Sequence, residues 1–259
     1  MSQVRVLGAY GGKSINKSLT SFLVSENLVI DAGNIIYALG DDAKNIDHIF
    51  LTHSHLDHII DIFFLIDNFY EVRKAPIKIY GLKDTLQSIK KHLLNWNIWP
   101  DFSEIELLND NVKSIELIEI SLGETYDIDD KRLKPVKTNH TAGSCGYVIS
   151  EDGNNESIFI TADTYLSDDV TKEMKRNKFI KKLVIDVSFP SRLDKLAFDS
   201  KHLTPKLLKE TIDDIKRDDV EYFLNHMKPN YEDEIKVEFK DYEFKDRVIF
   251  TYDDYVINY

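Results

Sequence analysis

The sequence predicts a layered α/β domain in which two packed β-sheets carry helices on their outer faces. Strand-like segments come in two runs, and segments of helical periodicity follow each run. The 259 residues are 42% hydrophobic, enough for a sizeable core. No Pro/Gly/Ser-rich stretch and no low-complexity tract divides them, so one domain spanning 1–259 is expected.

In chain order, Val4-Arg5-Val6-Leu7 reads as a strand, and Gly8, Gly11 and Gly12 mark a loop. Thr20 to Val24 and Leu28 to Ile30 form a hairpin about Glu26-Asn27, followed by Asp31-Ala32-Gly33. His48 to Leu51 is a short apolar strand that delivers Thr52-His53 to its end. Apolar residues at Ile59, Ile62, Phe63, Ile66 and Phe69 predict a helix from Leu56 to Phe69. A strand at Ile77 to Tyr80 and a helix at Lys83 to Leu94 come next. The second run of strands comprises Ser114 to Ile120, Leu133 to Lys137, Gly146 to Ile149 and Ser157 to Thr161. A buried strand at Lys182 to Val187, a helix at Pro205 to Ile215 and a strand at Tyr222 to Leu224 complete the pattern. The charged stretch from Glu234 onward is expected on the surface, with an edge strand at Arg247 to Thr251.

A net charge of −12 and a pI near 5.1 disfavour an extended nucleic-acid partner, because an acidic surface repels a phosphate backbone. A small anion remains compatible if metal ions reverse the sign locally. The single cysteine, Cys145, excludes an intrachain disulfide and reads as a small core residue. The first residues lack a basic region followed by a long apolar one, so no signal peptide is expected. The apolar run Ile59 to Phe64 is too short to span a bilayer. A soluble, cytoplasmic protein without membrane contact is the default reading.

The strongest chemical signal is Thr52-His53-Ser54-His55-Leu56-Asp57-His58, which places three histidines and a carboxylate within six residues. If His53 and His55 leave a strand end in extended form, both face one side and can chelate one metal. Asp57 and His58 sit where the chain turns into a helix, so they point elsewhere and can serve a second metal. Imidazole nitrogen and carboxylate oxygen suit Zn²⁺, and also Mn²⁺ or Fe²⁺. Further ligands must come from elsewhere. His140, Asp163 and His226 each follow a predicted strand, where α/β sheets usually build their sites.

These residues resemble the metallo-β-lactamase superfamily over nearly the whole chain, with its metal motifs in order: Asp31, His53 to His58, His140, Asp163 and His226. The resemblance implies a four-layer αββα sandwich of the metallo-β-lactamase type. It implies that His53, His55 and His140 bind one divalent metal, that Asp57, His58 and His226 bind another, and that Asp163 bridges them. Asp31 resembles the buried carboxylate that orients ligands from behind. Within the superfamily the chain is similar to class II cyclic nucleotide phosphodiesterases. Besides the first motif, Trp99-Pro100-Asp101-Phe102, Ser188-Phe189-Pro190-Ser191-Arg192, His202-Leu203-Thr204-Pro205 and His226-Met227-Lys228-Pro229 carry this likeness. The chain departs from it at Lys201 and Ala162, where the family typically has Gly, and at Asp186, where a Glu is usual. Ile60-Asp61 replaces small residues.

The implied reaction is hydrolysis of 3′,5′-cyclic nucleotides, cyclic AMP first, to 5′-nucleotides by a hydroxide shared between two metals about 3.5–4 Å apart. Zn²⁺ is the expected ion. His202 is the candidate general acid or phosphate contact, and Asp186, at a strand end, could orient it; Asp57 counts with the catalytic group. Read as structure alone, His202 is a helix-terminal residue before the N-cap and N1 pair Thr204-Pro205. Trp99, Phe102 and Phe189 are the substrate-binding expectations. Trp96, Trp99 and Phe102 could stack on a purine or simply belong to the core. His48 and His92 read as structural or exposed, and Lys228 as a solvated charge. Family likeness favours a homodimer.

Three other readings remain, of which a thioester hydrolase of the glyoxalase type shares the metal set but does not fit the Ser188-to-Arg192 and His202-to-Pro205 stretches. A tRNA 3′-processing endonuclease shares the metal set, but the charge of −12 and the lack of a Lys/Arg-rich arm oppose it. A metal-loaded protein that only binds a nucleotide or a protein partner would be expected to have lost ligands, and none is missing here.

Overall fold

The computed structural model describes residues 2–108 and 111–259. The first run of strands is β1 (Gln3–Gly8), β2 (Ser21–Ser25), β3 (Leu28–Ile30), β4 (His48–Phe50), β5 (Ile77–Gly81) and β6 (Ile115–Glu119). The second is β7 (Tyr126–Ile128), β8 (Lys131–Lys137), β9 (Cys145–Glu151), β10 (Ser157–Ile160), β11 (Ile180–Asp186), β12 (Glu221–Asn225) and β13 (Val248–Phe250). A last strand, β14 (Val256–Asn258), returns to the first sheet. The sheets run β14-β1-β2-β3-β4-β5-β6 and β13-β12-β11-β10-β9-β8-β7.

Period-2 alternation decides what each strand faces. In β3, Leu28 and Ile30 join the core between the sheets, while Val29 joins the layer under the helices; Phe50 and Ile49 divide likewise in β4. The inner core is shared by Phe22, Phe50, Tyr147, Phe159, Val184 and Tyr222. Helices α1 (Ile35–Leu39), α2 (Leu56–Phe69) and α3 (Lys83–His92) cover the first sheet. Helix α2 buries Ile59, Ile62, Phe63 and Ile66, the i, i+3, i+4, i+7 stripe expected of it. Outside the second sheet lie α4 (Asp168–Arg176) and α6 (Pro205–Ile215). In α6, Thr204 caps the first turn by accepting from the Leu207 amide, and Pro205 opens the helix. Two short helices, α5 (Asp194–Ser200) and α7 (Glu232–Glu238), complete the outer layers.

The charged tail from Glu234 onward lies largely at the surface, as expected, but a few apolar residues anchor it. β14 pairs antiparallel with β1, and Ile235, Phe239, Ile257 and Tyr259 are buried. The edge strand expected at Arg247 to Thr251 is β13, at the border of the second sheet. No helix among the described residues is long and apolar enough to cross a membrane.

The two sheets are tied directly beneath the strand ends. Tyr147 in β9 donates its hydroxyl to the Leu51 carbonyl at 2.6 Å, and the Cys145 amide donates to the Thr52 carbonyl at 2.9 Å. The carboxyl ends of β3, β4, β8, β10, β11 and β12 thus open onto one crevice.

Candidate metal centre

Each of those strand ends releases a chemical side chain: Asp31 after β3, His53 and His55 after β4, His140 after β8, Asp163 after β10, Asp186 at the end of β11 and His226 after β12. Asp57 and His58 enter from the first turn of α2. The backbone turns sharply at several of them. Asp31 (φ 57°), Ala162 (φ 52°), Lys201 (φ 58°) and His226 (φ 65°) all adopt the left-handed conformation that favours glycine. At Ala162 and Lys201 the left-handed turn is kept although the side chain is not the usual Gly.

The hydrogen bonds fix the tautomer of four imidazoles. Asp31, fully buried, accepts the Thr52 amide and the Thr52 hydroxyl, each at 2.8 Å, and lies 2.7 Å from His58 Nδ1. A carboxylate can only accept, so His58 carries its proton on Nδ1. The Thr52 hydroxyl has given its hydrogen to Asp31, so the His53 Nδ1 at 3.0 Å must donate to it. His140 Nδ1 lies 2.9 Å from the Lys201 carbonyl, another pure acceptor. Ser188 Oγ donates to Asp186 at 2.7 Å and receives His226 Nδ1 at 3.0 Å.

The consequence is four bare Nε2 atoms aimed inward. His58 Nε2 and His226 Nε2 face each other at 3.2 Å, and His140 Nε2 lies 3.1 Å from His55 Nδ1. Asp163 stands among them: Oδ2 is 3.6 Å from Nε2 of His53, 3.4 Å from that of His58 and 3.6 Å from that of His140, while Oδ1 is 3.2 Å from His226 Nε2. Asp57 Oδ2 is 3.2 Å from His226 Nε2. Lone pairs facing lone pairs at these distances repel unless a cation lies between them. His53 Nε2 and Asp163 Oδ1 are buried with no hydrogen-bond partner among the described residues.

The donor groupings match that geometry. His53, His55, His140 and Asp163 can each offer an atom within 4.8 Å of one another, as can Asp57, His58 and His226. Asp163, Asp186, His202 and His226 form a third such group. Burial first, and neighbouring imidazoles second, hold His53 and His55 below the ordinary histidine range; burial also lowers His140 and His226. All four are thereby kept as neutral ligands. His58 is the exception. Burial works against its charge, but the carboxylates of Asp163 and Asp31 raise it well above the usual range, so its Nε2 becomes bare only when a cation displaces the second ring proton. Burial would raise Asp163, yet its interactions with the His226 and His58 imidazoles hold it well below the usual carboxylate range. The nitrogen and oxygen donors, buried at His53, His58, Asp163 and His226 and more open at His55, Asp57 and His140, fit divalent ions such as Zn²⁺.

His202 and Asp186 also reach this crevice. His202 Nδ1 is 2.8 Å from Asp186 Oδ2, and the ring stacks on His226 at 5.3 Å between centroids. Burial lowers the His202 pKa, but Asp186 and Asp163 outweigh it and leave the imidazole raised above its ordinary value. Phe189 is 7% exposed and meets His202 edge-on at 5.7 Å, so it packs the histidine and has little face left for a base. The aromatic expectations elsewhere fare differently. Phe102 is 6% exposed and packs on Tyr70, and Trp99 packs on Phe63 and Phe64 with its indole nitrogen buried. Both rings join the apolar layer between the first sheet and its helices. Lys228 is not a freely solvated charge, since its ammonium donates to the Gly11 carbonyl at 2.5 Å. His92 is exposed, and His48 is tied to the Tyr80 hydroxyl at 3.0 Å.

Sequence reasoning assigned no role to Thr52, Ser188, Gly11 or the Lys201 carbonyl. Ser188 had a signal, because it lies two residues past Asp186 in extended chain and so shares its face. Gly11 had none beyond its pairing with Gly12, yet a Cβ there would lie 2.3 Å from the His226 ring.

The chain is 26% identical over 256 residues to a probable 3′,5′-cyclic-nucleotide phosphodiesterase of Yersinia pestis, covering 80% of this chain and 71% of that protein. It is 25% identical over 157 residues to 3′,5′-cyclic-nucleotide phosphodiesterase 1 of Saccharomyces cerevisiae, covering 58% of this chain but only 42% of that enzyme's length. The crystal structure of unliganded yeast PDE1 superposes with a TM-score of 0.79 at 16% identity, over 99% of both chains. The two mixed sheets with outer helices are the metallo-β-lactamase fold. The family described as Anti-Pycsar protein Apyc1 matches residues 6–240, and the chain belongs to that family.

Proposed function

We propose that this protein is a two-metal phosphodiesterase that opens 3′,5′-cyclic nucleotides, cyclic AMP first, to 5′-nucleotides. The observation that carries the reading is the inward convergence of four bare imidazole nitrogens on the two oxygens of Asp163. In this reading His53, His55 and His140 hold one ion, Asp57, His58 and His226 hold the other, and Asp163 serves both. Asp31 orients His58 directly and His53 through Thr52. Zn²⁺ suits the donors best, with Mn²⁺ or Fe²⁺ as substitutes.

Bound there, the ions supply Lewis acidity, which acidifies water and neutralises phosphate charge that the protein's own −12 would otherwise repel. The chain's residues supply the rest. Asp186 takes His202 Nδ1–H, which fixes the ring and leaves Nε2 as the atom that presents a proton. Opening a 3′,5′-cyclic phosphate expels a ribose 3′-alkoxide, a poor leaving group that needs a proton as the P–O bond breaks. His202 Nε2 is the group that delivers it. The names of the yeast and Yersinia relatives support this substrate class.

The test is product analysis after incubating the Zn²⁺- or Mn²⁺-loaded protein with 3′,5′-cyclic AMP. Formation of 5′-AMP, abolished by chelator and restored by metal, is expected. A metal-loaded protein that leaves 3′,5′-cyclic nucleotides intact while cleaving a tRNA precursor would replace the proposal.

A further inference from the structure

The proposed proton donor and one proposed metal share a single buried hydroxyl. Ser188 is fully buried, with Asp186 and His226 each 1% exposed and His202 6%. Four polar atoms surround Ser188 Oγ: Asp186 Oδ1 at 2.7 Å, His226 Nδ1 at 3.0 Å, the His226 carbonyl at 3.0 Å and His202 Nδ1 at 3.2 Å. A hydroxyl has one hydrogen to give. The carboxylate is the closer and charged acceptor, and it takes that hydrogen. His202 gives its own Nδ1 hydrogen to the other Asp186 oxygen at 2.8 Å. The Ser188 lone pairs are then left to receive His226 Nδ1–H.

We infer that Ser188 is a positioning residue that sets the His226 tautomer for metal binding through Nε2 and links that ligand to the Asp186–His202 pair. The chain of bonds runs His226 Nδ1–H to Ser188 Oγ–H to Asp186 Oδ1, with His202 on Oδ2. Asp186 therefore does two things at once: it orients His202 directly and anchors His226 through the serine. Without the hydroxyl, Asp186 Oδ1 lies 3.9 Å from His226 Nδ1, beyond hydrogen-bond reach. His226 Nδ1 would lose its acceptor, and nothing would prevent the ring from holding its proton on Nε2, where it excludes the ion. Three other ligands reach their acceptors differently: His58 and His53 through Asp31, and His140 through the Lys201 carbonyl. The effect of losing Ser188 should therefore fall on one metal alone.

This inference rests on the two-metal reading, and the readouts separate the two. Zn²⁺ is titrated into metal-depleted protein against a chromophoric chelator, and imidazole ¹⁵N–¹H correlation spectra of the Zn²⁺-loaded protein report each tautomer. Wild type should show two tight binding events and a hydrogen-bonded Nδ1–H on His226. Ser188→Ala should weaken one event about 10–100-fold, the usual effect of removing such an outer partner, and leave the other unchanged. His202→Ala, which keeps the serine, should leave both Zn²⁺ affinities as in wild type. Two unchanged affinities in Ser188→Ala would overturn the inference. So would a wild-type His226 protonated on Nε2, a result that needs no variant to fold. Wild type that takes up no Zn²⁺ at all would instead strike the two-metal reading itself.

Discussion

Gly11 is the position where one added carbon should disable the site without touching a ligand. The loop backbone lies flat on the His226 imidazole, and a Cβ built on Gly11 falls 2.3 Å from Cε1, 2.4 Å from Nδ1 and 2.8 Å from Nε2. Ordinary carbon contacts are about 3.5–4.0 Å, so in Gly11→Ala the ring or the loop must withdraw by more than about 1 Å. The ring has nowhere easy to go. It is held by Ser188 at 3.0 Å, faces Asp57 and Asp163 at 3.2 Å, and stacks on His58 and His202. The loop is equally tied, since the Gly11 amide donates to the Met227 carbonyl at 3.3 Å and Lys228 clamps the Gly11 carbonyl. A displacement of about 1 Å at a reacting centre costs on the order of 10²-fold in rate. Overpacking of this kind costs about 1–3 kcal/mol of stability, several degrees in Tm. The control is Gly12→Ala, whose added carbon would meet only Pro229 Cδ at 3.2 Å, a contact relieved by a shift of a few tenths of an ångström. Both variants are assayed for Zn²⁺ content and for hydrolysis of bis(p-nitrophenyl) phosphate. Gly11→Ala should lose the metal held by His226 and about 10²-fold or more in kcat/KM, with Gly12→Ala close to wild type. A Gly11→Ala protein with full metal and full activity would show that His226 is not constrained as described.

His202→Ala should keep both metals yet slow cyclic AMP hydrolysis by about 10²–10⁴-fold while sparing bis(p-nitrophenyl) phosphate, whose p-nitrophenolate leaves without a proton. Equal loss on both substrates in the same kinetic comparison would rule out the proton-donor role. Thr52→Val strips the hydroxyl that joins Asp31 to His53. It should cost about 1–3 kcal/mol in chemical denaturation and weaken the metal held by His53, and an unchanged denaturation midpoint would contradict the tautomer argument. Ala162→Val puts a β-branched side chain at φ 52° next to Asp163, and should lose a further ~1–2 kcal/mol and lower metal content, whereas Ala162→Gly should retain its metal. Equal metal content in the valine and glycine variants would refute that account.

Much of the candidate site was legible in the sequence because its donor residues occupy positions that local pattern defines. The His53 to His58 motif is contiguous, and the α2 boundaries follow from the spacing of Ile59, Ile62, Phe63 and Ile66. His140, Asp163 and His226 were found because each ends a strand. What was not legible depends on approach through space. β14 pairs with β1 across almost the whole chain, so a charged tail conceals an edge strand that buries Ile257. Lys228 reads as a surface charge until the fold brings Gly11 to it. Trp99 and Phe102 read equally as a platform for a base or as core, and only the fold shows that they pack on Phe63, Phe64 and Tyr70. The usual Gly at 162 and 201 acquires its reason only from the backbone, which is left-handed at both. Ser188 and Gly11 both bear on His226, and neither relation has a sequence period.

The central claim is that the convergence on Asp163 is a two-metal centre, and the metal count of the purified protein tests it most directly. Elemental analysis after Zn²⁺ loading should find close to two ions per chain, and Asp163→Ala, which removes the carboxylate between the two donor groups, should lower occupancy of both. A wild-type protein that takes up neither Zn²⁺ nor Mn²⁺, or an Asp163→Ala variant that keeps two ions and normal turnover, would contradict it.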